Sequence, residues 1–423
     1  MDMQWSLTPG LRGALDALVD ERFGVLASVV ESPYERGEPP FFHFFAETAP
    51  TDRWLPRRPF VYGGGTSTRR DIALAKAVGE CVERYCAAIY DLDALPLTSA
   101  RNALFECIPP DRFALFSPQQ YEFSHFPFRP FSAQTSVRWV AAQRITDGRT
   151  LHVPAASVFL PYYGERGDET MIIPPVSTGL AAGVDFAAAS LSGILEVVER
   201  DAFCRCWYEM RSAPQICRES LPAALSDMLD RFEMCGYLVD LLDITSDLGV
   251  PVVLATARSG RRDGPALSVA TSAALDPELA ATKALEELAM TLRYQRDLKL
   301  GRYKTVDLAG DLHLMHWNER SRREDAAFLW ASLDRVELAG LRIPGAPCQG
   351  PRALRWIADQ LAQSSFDALV TDITSADIRP LGLVVVRAIV PGLQPLLFGD
   401  RMVARGGQRL RASTINPMPH PFP

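Results

Sequence analysis

Residues 179–200 read Gly179-Leu-Ala-Ala-Gly-Val-Asp-Phe-Ala-Ala-Ala-Ser-Leu-Ser-Gly-Ile-Leu-Glu-Val-Val-Glu-Arg200, a small-residue stretch followed by a helix with two acids and an arginine. Residues 63–84 repeat this pattern, beginning Gly-Gly-Gly and ending Glu-Cys-Val-Glu-Arg, and a third version begins at Ala270. In all three, a small-residue turn is expected 17 positions before an acid in the helix (Gly63 to Glu80, Gly179 to Glu196, Ala270 to Glu287). The equal spacing predicts a body built from related units.

Helix and strand signals predict a mixed α/β (α+β) fold in which long helices lie over sheets. The predicted N-caps are Ser67 or Thr68 for the first helix, Asp185 for the second and Asp276 for the third, which Gly301 ends. Apolar runs with a Gly, Pro or Asp close to an end predict strands at 252–256, 267–271, 368–371 and 383–390. The region before the first helix lacks this regularity and is expected to be an irregular, partly exposed arm.

The composition suits a well-cored globular protein, with 48% apolar residues and a net charge of −7. Nucleic-acid-binding domains normally carry a basic surplus, so nucleic acid is not expected as a partner. The chain start does not resemble a secretory signal, and no stretch approaches the ~18 apolar residues of a membrane span. The eight cysteines include no CxxC pair, which predicts reduced core thiols in a cytoplasmic protein. His313 and His316, one turn apart, predict a solvated helix face.

The acids of the first two repeated helices can be interpreted in two ways. Positions i, i+3 and i+4 lie together on a helix, so two acids and an arginine project together in each: Glu80, Glu83 and Arg84, then Glu196, Glu199 and Arg200. The first interpretation is a surface Glu–Arg pair on each helix, worth roughly 0.2–0.5 kcal/mol. The second is a buried site, because both helices are apolar on most faces and buried carboxylates need a partner or a metal.

A buried set of four carboxylates favours a bound cation, because the charges would otherwise repel one another and resist ionisation. Magnesium takes oxygen ligands and usually keeps phosphates in its shell, and the arginine after each acid pair is placed to meet phosphate oxygens. The backbone N–H groups of Gly63, Gly64 and Gly65 can also approach a phosphate closely. The combined pattern predicts a nucleotide–magnesium site between the related units.

Several runs resemble the YcaO superfamily, over about residues 60–423. The runs that carry this resemblance are Gly179-Leu-Ala-Ala-Gly183, Leu195-Glu-Val-Val-Glu-Arg-Asp-Ala-Phe203, Gly79-Glu-Cys-Val-Glu-Arg-Tyr85 and the terminal Pro417-Met-Pro-His-Pro-Phe-Pro423. The runs at 244–251 and 390–395 are also similar to the family. More narrowly, the chain resembles the stand-alone D-protein cyclodehydratases of thiazole/oxazole-modified peptide biosynthesis, of the streptolysin-S-maturation type.

This resemblance implies ATP-dependent cyclisation of the backbone of a ribosomal precursor peptide, with ATP and Mg²⁺ as cofactors. A Cys, Ser or Thr side chain attacks the preceding amide carbonyl, ATP phosphorylates the amide oxygen, and loss of phosphate leaves a thiazoline or oxazoline ring. The resemblance also implies the residue roles: Glu80, Glu83, Glu196 and Glu199 as magnesium ligands, Arg84 and Arg200 facing phosphates, and Lys283 and Glu287 on the nucleotide-binding side.

The chain departs from the family pattern at positions expected to contact the nucleotide. The family usually has Asn after the second glycine of the Gly179–Gly183 run and two Glu soon after it, where this chain has Val184, Ala187 and Ala188. After the third-motif acid the family favours Gln, where this chain has Met290 and Thr291. Relatives commonly have a Lys between the glycines, where this chain has Gly64. The metal set is complete, but the base and ribose contacts are thinned.

The terminal run also has two interpretations. Prolines near a terminus often form only a frayed polyproline segment. In the family that the chain resembles, alternating prolines lead the C-terminus into the active site, which implies a catalytic role for Pro417, Pro419, Pro421 and Pro423. A rigid extended tail would hold the terminal carboxylate at a fixed reach with little ordering entropy to lose.

The resemblance also implies partners and a division of the chain. We expect a precursor peptide, a separate E1-like or ThiF-like partner that binds the leader, and assembly as a homodimer or hetero-complex, while a flavin dehydrogenase could oxidise the product. The alternatives are thioamide or amidine formation by another YcaO activity, and a docking scaffold whose ATP site has decayed. The expected parts are an N-terminal arm at 1–60, a YcaO-like ATP-dependent domain at 61–412 and a proline-alternating tail at 413–423.

Overall fold

The computed structural model describes residues 9–20, 24–49, 59–164, 166–302, 313–399, 402–412 and 414–422. Within these ranges the α-helices are α1 Pro9–Leu18, α2 Arg70–Ala87, α3 Pro118–Tyr121, α4 Phe186–Tyr208, α5 Ala223–Glu233, α6 Pro277–Lys299 and α7 Gly350–Gln363. The strands are β1 Leu26–Ser32, β2 Phe42–Thr48, β3 Tyr62–Ser67, β4 Leu97–Ser99, β5 Ser136–Arg144, β6 Thr150–Pro154, β7 Leu180–Gly183, β8 Gln215–Ile216, β9 Tyr237–Asp243, β10 Val252–Ser259, β11 Leu267–Ala273, β12 Arg335–Val336, β13 Leu369–Asp372 and β14 Val384–Ile389. The predicted mixed α/β fold is confirmed.

The strands of the described ranges form three sheets, and each sheet contains or adjoins one of the repeated small-residue segments. One sheet has the order β1-β2-β3, a second has the order β4-β5-β13-β14-β7 with β6 paired to β5, and a third has the order β11-β10-β9-β8-β12. Helix α2 packs on β3 and β2, α4 on β14 and β7, and α6 on β11 and β10. The protein therefore contains three helix-on-sheet units, as the equal spacing predicts.

Most of the predicted helix and strand signals are confirmed. Asp185 caps α4 by accepting a hydrogen bond from Ala188 N–H, and Asp276 caps α6 by accepting one from Glu278 N–H. The four predicted strands correspond to β10, β11, β13 and β14. The predicted cap of α2 is wrong, because that helix begins after Arg69, which makes no side-chain cap bond. Ser67 lies in β3 instead, where its hydroxyl accepts a hydrogen bond from the Arg69 N–H.

The N-terminal region is not the irregular arm expected for residues 1–60. Strands β1 and β2 pair with each other and with β3, so this region contributes two of the three strands over α2. Phe44 and Ala46 are buried because their face of β2 packs against the apolar face of α2. Arg57 and Arg58, expected within the arm, lie outside the described residues.

The repeated small residues were expected in turns, and this expectation is wrong for two of the three units. Gly63, Gly64 and Gly65 lie within β3, and Ala270 lies within β11. The physical reason is the close approach of strand and helix, since a Cβ built on Gly65 would stand 2.0 Å from the Ala73 carbonyl oxygen. Only Gly179, with φ +86°, has the conformation expected of a turn.

The cysteines are all free thiols, but the prediction that they are core residues holds for only half of them. Four of them are core residues (Cys81, Cys86, Cys204 and Cys206), whereas Cys348 is exposed and the other three are half-buried. Within the part of the chain that the structure describes, no helix combines the length and apolar character needed to cross a bilayer.

Candidate active site

The first acid of each repeated motif binds the small-residue segment of its own unit. Glu80 accepts a hydrogen bond from Gly64 N–H at 2.7 Å and pairs with Arg84 at 3.0 Å. Glu196 accepts one from Gly179 N–H at 3.1 Å and pairs with Arg200 at 3.1 Å. The i,i+4 Glu–Arg pairs therefore exist, but they line the space between units and are only partly open to solvent.

The second acid of each motif reaches the strand of the next unit. Glu83 on α2 accepts a hydrogen bond from Ala182 N–H of β7 at 2.7 Å. Glu199 on α4 accepts hydrogen bonds from the Thr271 hydroxyl at 2.7 Å and from Ala273 N–H at 3.2 Å, both on β11. These contacts bring the acids of two helices to the junctions between successive units.

The third unit closes this arrangement with a different residue. Glu286 on α6 accepts a hydrogen bond from the Ser67 hydroxyl of β3 and forms an ion pair with Lys76 of α2 at 2.7 Å. Each of the three helices therefore presents a carboxylate to the strand of the following unit, and the third returns to the first. We call this closed set of contacts the carboxylate ring, made of Glu83, Glu199 and Glu286.

The carboxylates of this cleft hold their charge in a low-dielectric environment. Burial raises the pKa of Glu83 to about 8, and the neighbouring charges of Glu80 and Glu196 add to the effect against the Ala182 hydrogen bond. Burial raises the pKa of Glu199 to about 7, where Arg200 opposes the shift and Glu196 adds to it. The acids of α2 and α4 therefore interact electrostatically, as the buried-site interpretation requires.

The third-motif residues lie at the same cleft. Burial, with the nearby charge of Lys76, lowers the pKa of Lys283, although Glu199 and Glu286 oppose that shift. The side chain of Glu287 is exposed, yet burial raises its pKa, with the charges of Glu80 and Glu196 adding to the effect. That combination describes a carboxylate that solvent reaches but protein surrounds, as on the floor of a cleft.

Several buried arginines have a guanidinium nitrogen without a hydrogen-bond partner among the described residues, and three of them lie at this cleft. These are Nε of Arg84, Nη1 of Arg200 and Nη1 of Arg387. Burial opposes the ionisation of Arg200, but the charges of Glu199 and Glu196 outweigh it and raise its pKa. Nη1 of Arg200 also lies 3.3 Å from Glu199. Buried cationic nitrogens that lack hydrogen bonds are costly unless an anion satisfies them, so the cleft is suited to phosphate oxygens.

Arg387 is a site residue that the sequence reasoning missed. It lies in β14, is 2% exposed, and donates to the carbonyl oxygens of Ser157 at 3.0 Å and Val176 at 2.6 Å. Burial lowers its pKa to about 10 against the charge of Glu196. The available signal was a single arginine within the apolar run 383–390, because a cation in a buried strand needs a counter-charge.

The departures from the family pattern have visible consequences. Val184 is 77% exposed, and the N–H of Ala188 is already bonded to the capping carboxylate of Asp185. A Cβ built on Gly64 would stand 2.9 Å from the methyl group of Met290, so Met290 fills the space beside that glycine. The N–H of Gly64 is also taken by Glu80, which weakens the predicted role of this glycine run as a phosphate cradle.

The C-terminal tail runs along α4 toward the second acid pair. Asn416 N–H donates to the carbonyl of Tyr208 at 2.8 Å, and further along Phe422 packs on Phe203 with ring centroids 4.9 Å apart. The Arg200 guanidinium carbon lies 4.0 Å from the centre of the Phe422 ring. Of the predicted catalytic prolines, Pro417 is exposed, Pro419 half-buried and Pro421 buried, while Pro423 lies outside the described residues.

The expectation that His313 and His316 form a solvated face is wrong. His313 donates to the Phe422 carbonyl at 2.8 Å and packs against His420 at a tilt of 60°, with ring centroids 4.9 Å apart. His316 packs edge-on against Trp317. The tail covers this turn, which a helical pattern alone does not indicate.

The residues fit a magnesium nucleotide better than a metal cage. Within the described ranges, no group of three or more His, Cys, Asp or Glu side chains forms a ready metal site. Magnesium that keeps phosphate ligands needs only one or two carboxylates, and the unpaired arginine nitrogens suit the phosphates. The assignment of Glu80, Glu83, Glu196 and Glu199 as ligands stays a prediction.

Comparison with known proteins identifies relatives over most of the chain. The family model described as YcaO cyclodehydratase, ATP- and Mg²⁺-binding, matches residues 64–394. An uncharacterized protein of Methanothermobacter thermautotrophicus is 27% identical over 377 residues, which cover 84% of this chain and 86% of that protein. An uncharacterized protein from the tfuA 3′ region of Rhizobium leguminosarum bv. trifolii is 27% identical over 360 residues, covering 79% of this chain and 77% of the other.

Solved structures share the fold. A heterocyclase in complex with substrate and cofactor has a TM-score of 0.78 and 21% identity; the match covers 98% of this chain, which spans 57% of that chain's length. YcaO from Methanopyrus kandleri, bound with AMPPCP and Mg²⁺, has a TM-score of 0.64 and 22% identity, covering 87% of this chain and 86% of the other. The E. coli microcin synthetase McbBCD complex has a TM-score of 0.67 and 14% identity, and the match covers 95% of this chain and 99% of the other.

Proposed function

Because the chain belongs to the YcaO family of ATP- and Mg²⁺-binding cyclodehydratases, we propose that it is the azoline-forming subunit of a peptide-modifying enzyme. Its substrate is a ribosomal precursor peptide, in which Cys, Ser or Thr becomes a thiazoline or oxazoline. The observation that carries this proposal is the C-terminal tail, whose Phe422 ring lies over Arg200 of the second acid motif. Phe422 thereby lies beside an arginine of the cleft that suits a magnesium nucleotide.

The proposed roles follow from the chemistry of each side chain. Glu80, Glu83, Glu196 and Glu199 hold Mg²⁺. Arg84, Arg200 and Arg387 neutralise phosphate oxygens, because each has a guanidinium nitrogen that the described residues leave without a hydrogen bond. When bound, magnesium ATP supplies the phosphoryl group that makes the amide oxygen a leaving group. Lys283 and Glu287 line the nucleotide side of the cleft.

The tail has a separate role at the peptide. The prolines at 417, 419, 421 and 423 restrict the backbone and carry no N–H, so the tail keeps an extended form at little entropic cost. A free carboxylate at Pro423 would accept or return a proton as the substrate side chain attacks the amide. Adding residues after Pro423 should sharply lower the rate of peptide cyclisation and leave nucleotide binding intact.

We further propose that the protein works within a hetero-complex in the cytoplasm. A separate E1-like or ThiF-like subunit binds the leader of the precursor, typically by adding the leader as a strand to a sheet edge. A flavin dehydrogenase could act afterwards on the azoline. The structural likeness to the McbBCD complex, which has also been solved with pro-MccB17 bound, is compatible with such an assembly.

A second candidate function is a docking scaffold with a decayed nucleotide site. It is favoured by Val184, Ala187 and Ala188 at positions where the family has polar nucleotide contacts. In contrast to the azoline-forming enzyme, a scaffold would bind the peptide or its partner and hydrolyse no ATP.

The deciding experiment combines the protein, its precursor peptide, the leader-binding partner, ATP and Mg²⁺, and follows peptide mass. Loss of one water mass per ring supports the azoline-forming function. Replacement of oxygen by sulfur would identify thioamide formation instead, and an unchanged peptide without ATP hydrolysis would favour the scaffold.

A further inference from the structure

The carbonyl groups of the tail are bonded by side-chain donors. Trp207 Nε1 donates to the Met418 carbonyl at 3.2 Å, Trp317 Nε1 donates to the Pro419 carbonyl at 3.1 Å, and His313 Nε2 donates to the Phe422 carbonyl at 2.8 Å. Residues 418–422 form no strand, and prolines at every second position leave one edge of the segment without N–H donors. Its buried carbonyls therefore depend on donors from elsewhere.

The turn that carries His313 and Trp317 is anchored to the sheet of the third unit. The Trp317 carbonyl accepts hydrogen bonds from Ala266 and Leu267 N–H, both at 3.1 Å, at the start of β11. The same strand holds Glu199 through Thr271 and Ala273. Strand β11 therefore contacts both Glu199 and the turn that binds the tail, and so relates the position of the described tail residues to that of the acid.

Phe422 is the last residue of the tail that these contacts control. Its ring packs between Phe203 and the Arg200 guanidinium, which lies 4.0 Å from the ring centre, while its carbonyl is bonded to His313. A cation over an aromatic ring is attractive and directional. Phe422 is therefore held on one side by Arg200 and on the other by His313.

From this geometry we propose that His313 and Trp317 are positioning residues that seat the C-terminal tail against Arg200. The inference deepens the proposed function, because it rests on the tail's having a role in the reaction at that site. His313 acts through the tail and not on the peptide itself. The prediction that separates this role from simple packing is that loss of the His313 donor releases the tail without unfolding the protein.

Three backbone amides report the seating of the tail, since between Pro417 and Pro423 only Met418, His420 and Phe422 have an N–H. We would measure their hydrogen exchange, together with peptide turnover, in His313→Ala. We expect faster exchange at His420 and Phe422, a fall in kcat of about tenfold or more, and an unchanged melting temperature. His313→Gln retains a donor and should restore part of both properties.

The matched control is His316→Ala, one turn away on the same segment, which removes an imidazole that packs on Trp317 and makes no hydrogen bond to the described residues of the tail. Trp317→Phe keeps an aromatic ring but removes the indole N–H donor to the Pro419 carbonyl, and should speed exchange at His420. Wild-type exchange in His313→Ala would overturn the proposal, and so would fast exchange with an unchanged kcat. If the wild-type protein modifies no peptide, the proposed function fails, while the exchange data still decide whether His313 seats the tail.

Discussion

At the scale of single residues, the two acids of each motif have different partners and so different tasks. Glu80 and Glu196 bind an N–H of their own unit and pair with an arginine, whereas Glu83 and Glu199 cross to the next strand. The crossing acids are those whose pKa burial raises to about 8 and about 7. They connect the units and carry the charge that a cation would neutralise.

Replacement of Glu199 by Gln tests the proposed ligand role. The amide preserves shape and one acceptor but removes the charge, so we expect peptide-dependent ATP turnover to fall by about a hundredfold or more with little change in melting temperature. The control is Glu233→Gln, which removes an exposed helix carboxylate paired with Arg218. Full activity in Glu199→Gln would exclude Glu199 as a ligand.

The raised pKa values of Glu83 and Glu199 predict pH-dependent magnesium binding. Near neutral pH these groups are partly protonated, and a carboxylate must lose its proton to bind a metal. The apparent affinity for magnesium nucleotide should therefore rise between about pH 6 and 8, with protons released on binding. Calorimetry in two buffers of different ionisation enthalpy measures this release, and a pH-independent affinity would contradict it.

Single residues also show where sequence reasoning succeeds and stops. The spacing of Glu, Glu and Arg on a helix fixes a shared face, so the clustering of charge at the cleft could be predicted. Arg387 was missed because an isolated residue has no periodicity, and its environment depends on carbonyls of Ser157 and Val176 far away in the chain. His313 was misread for the same reason, since the tail that covers it arrives from residue 422.

At the scale of elements, the close packing of β3 on α2 determines the glycines of the first unit. Gly65→Ala would place a Cβ 2.0 Å from a backbone oxygen of α2, and we expect it to cost about 1–3 kcal/mol of unfolding free energy. Gly79→Ala, within α2 and with nothing within 4 Å, should instead stabilise by about 0.5–1 kcal/mol. Urea unfolding of both variants measures this contrast, and equal effects would contradict the packing argument.

The same element shows why a glycine run is hard to interpret from sequence. Glycine allows both a turn and the close approach of a flat strand to a helix, and only the neighbouring helix decides between them. Strands β1 and β2 were hidden for a related reason, because the Phe41–Phe45 run has no alternation of polar and apolar residues. Caps at Asp185 and Asp276 are local side-chain bonds, and those could be predicted.

At the scale of the whole molecule, buried histidines predict an acid limit to stability. Burial, with the charge of Arg293, lowers the pKa of His43 to about 3, below the ordinary value of 6.5. The unfolded chain therefore binds the proton more readily, and the stabilisation present above pH 6.5 is lost as pH falls toward 3, at up to ~1.4 kcal/mol per pH unit.

A comparison of urea midpoints at several pH values tests this limit. His43→Gln should lose less stability than the wild type as the pH falls below about 6, although it starts from a lower value because the ring also bonds Thr66. His125→Asn replaces an exposed histidine and should follow the wild-type pH dependence. Parallel curves for His43→Gln and the wild type would contradict the argument.

The carboxylate ring also constrains the order of folding. The contact that closes the ring joins Ser67 to Glu286 across 219 residues, so it cannot form until the third unit has been synthesised. Contacts of such long sequence separation form late because the loop-closure entropy must be lost first. On a ribosome, α2 and β3 would emerge long before their last partner. The nascent chain would then carry an open charged cleft, and the competent site would assemble in one late step.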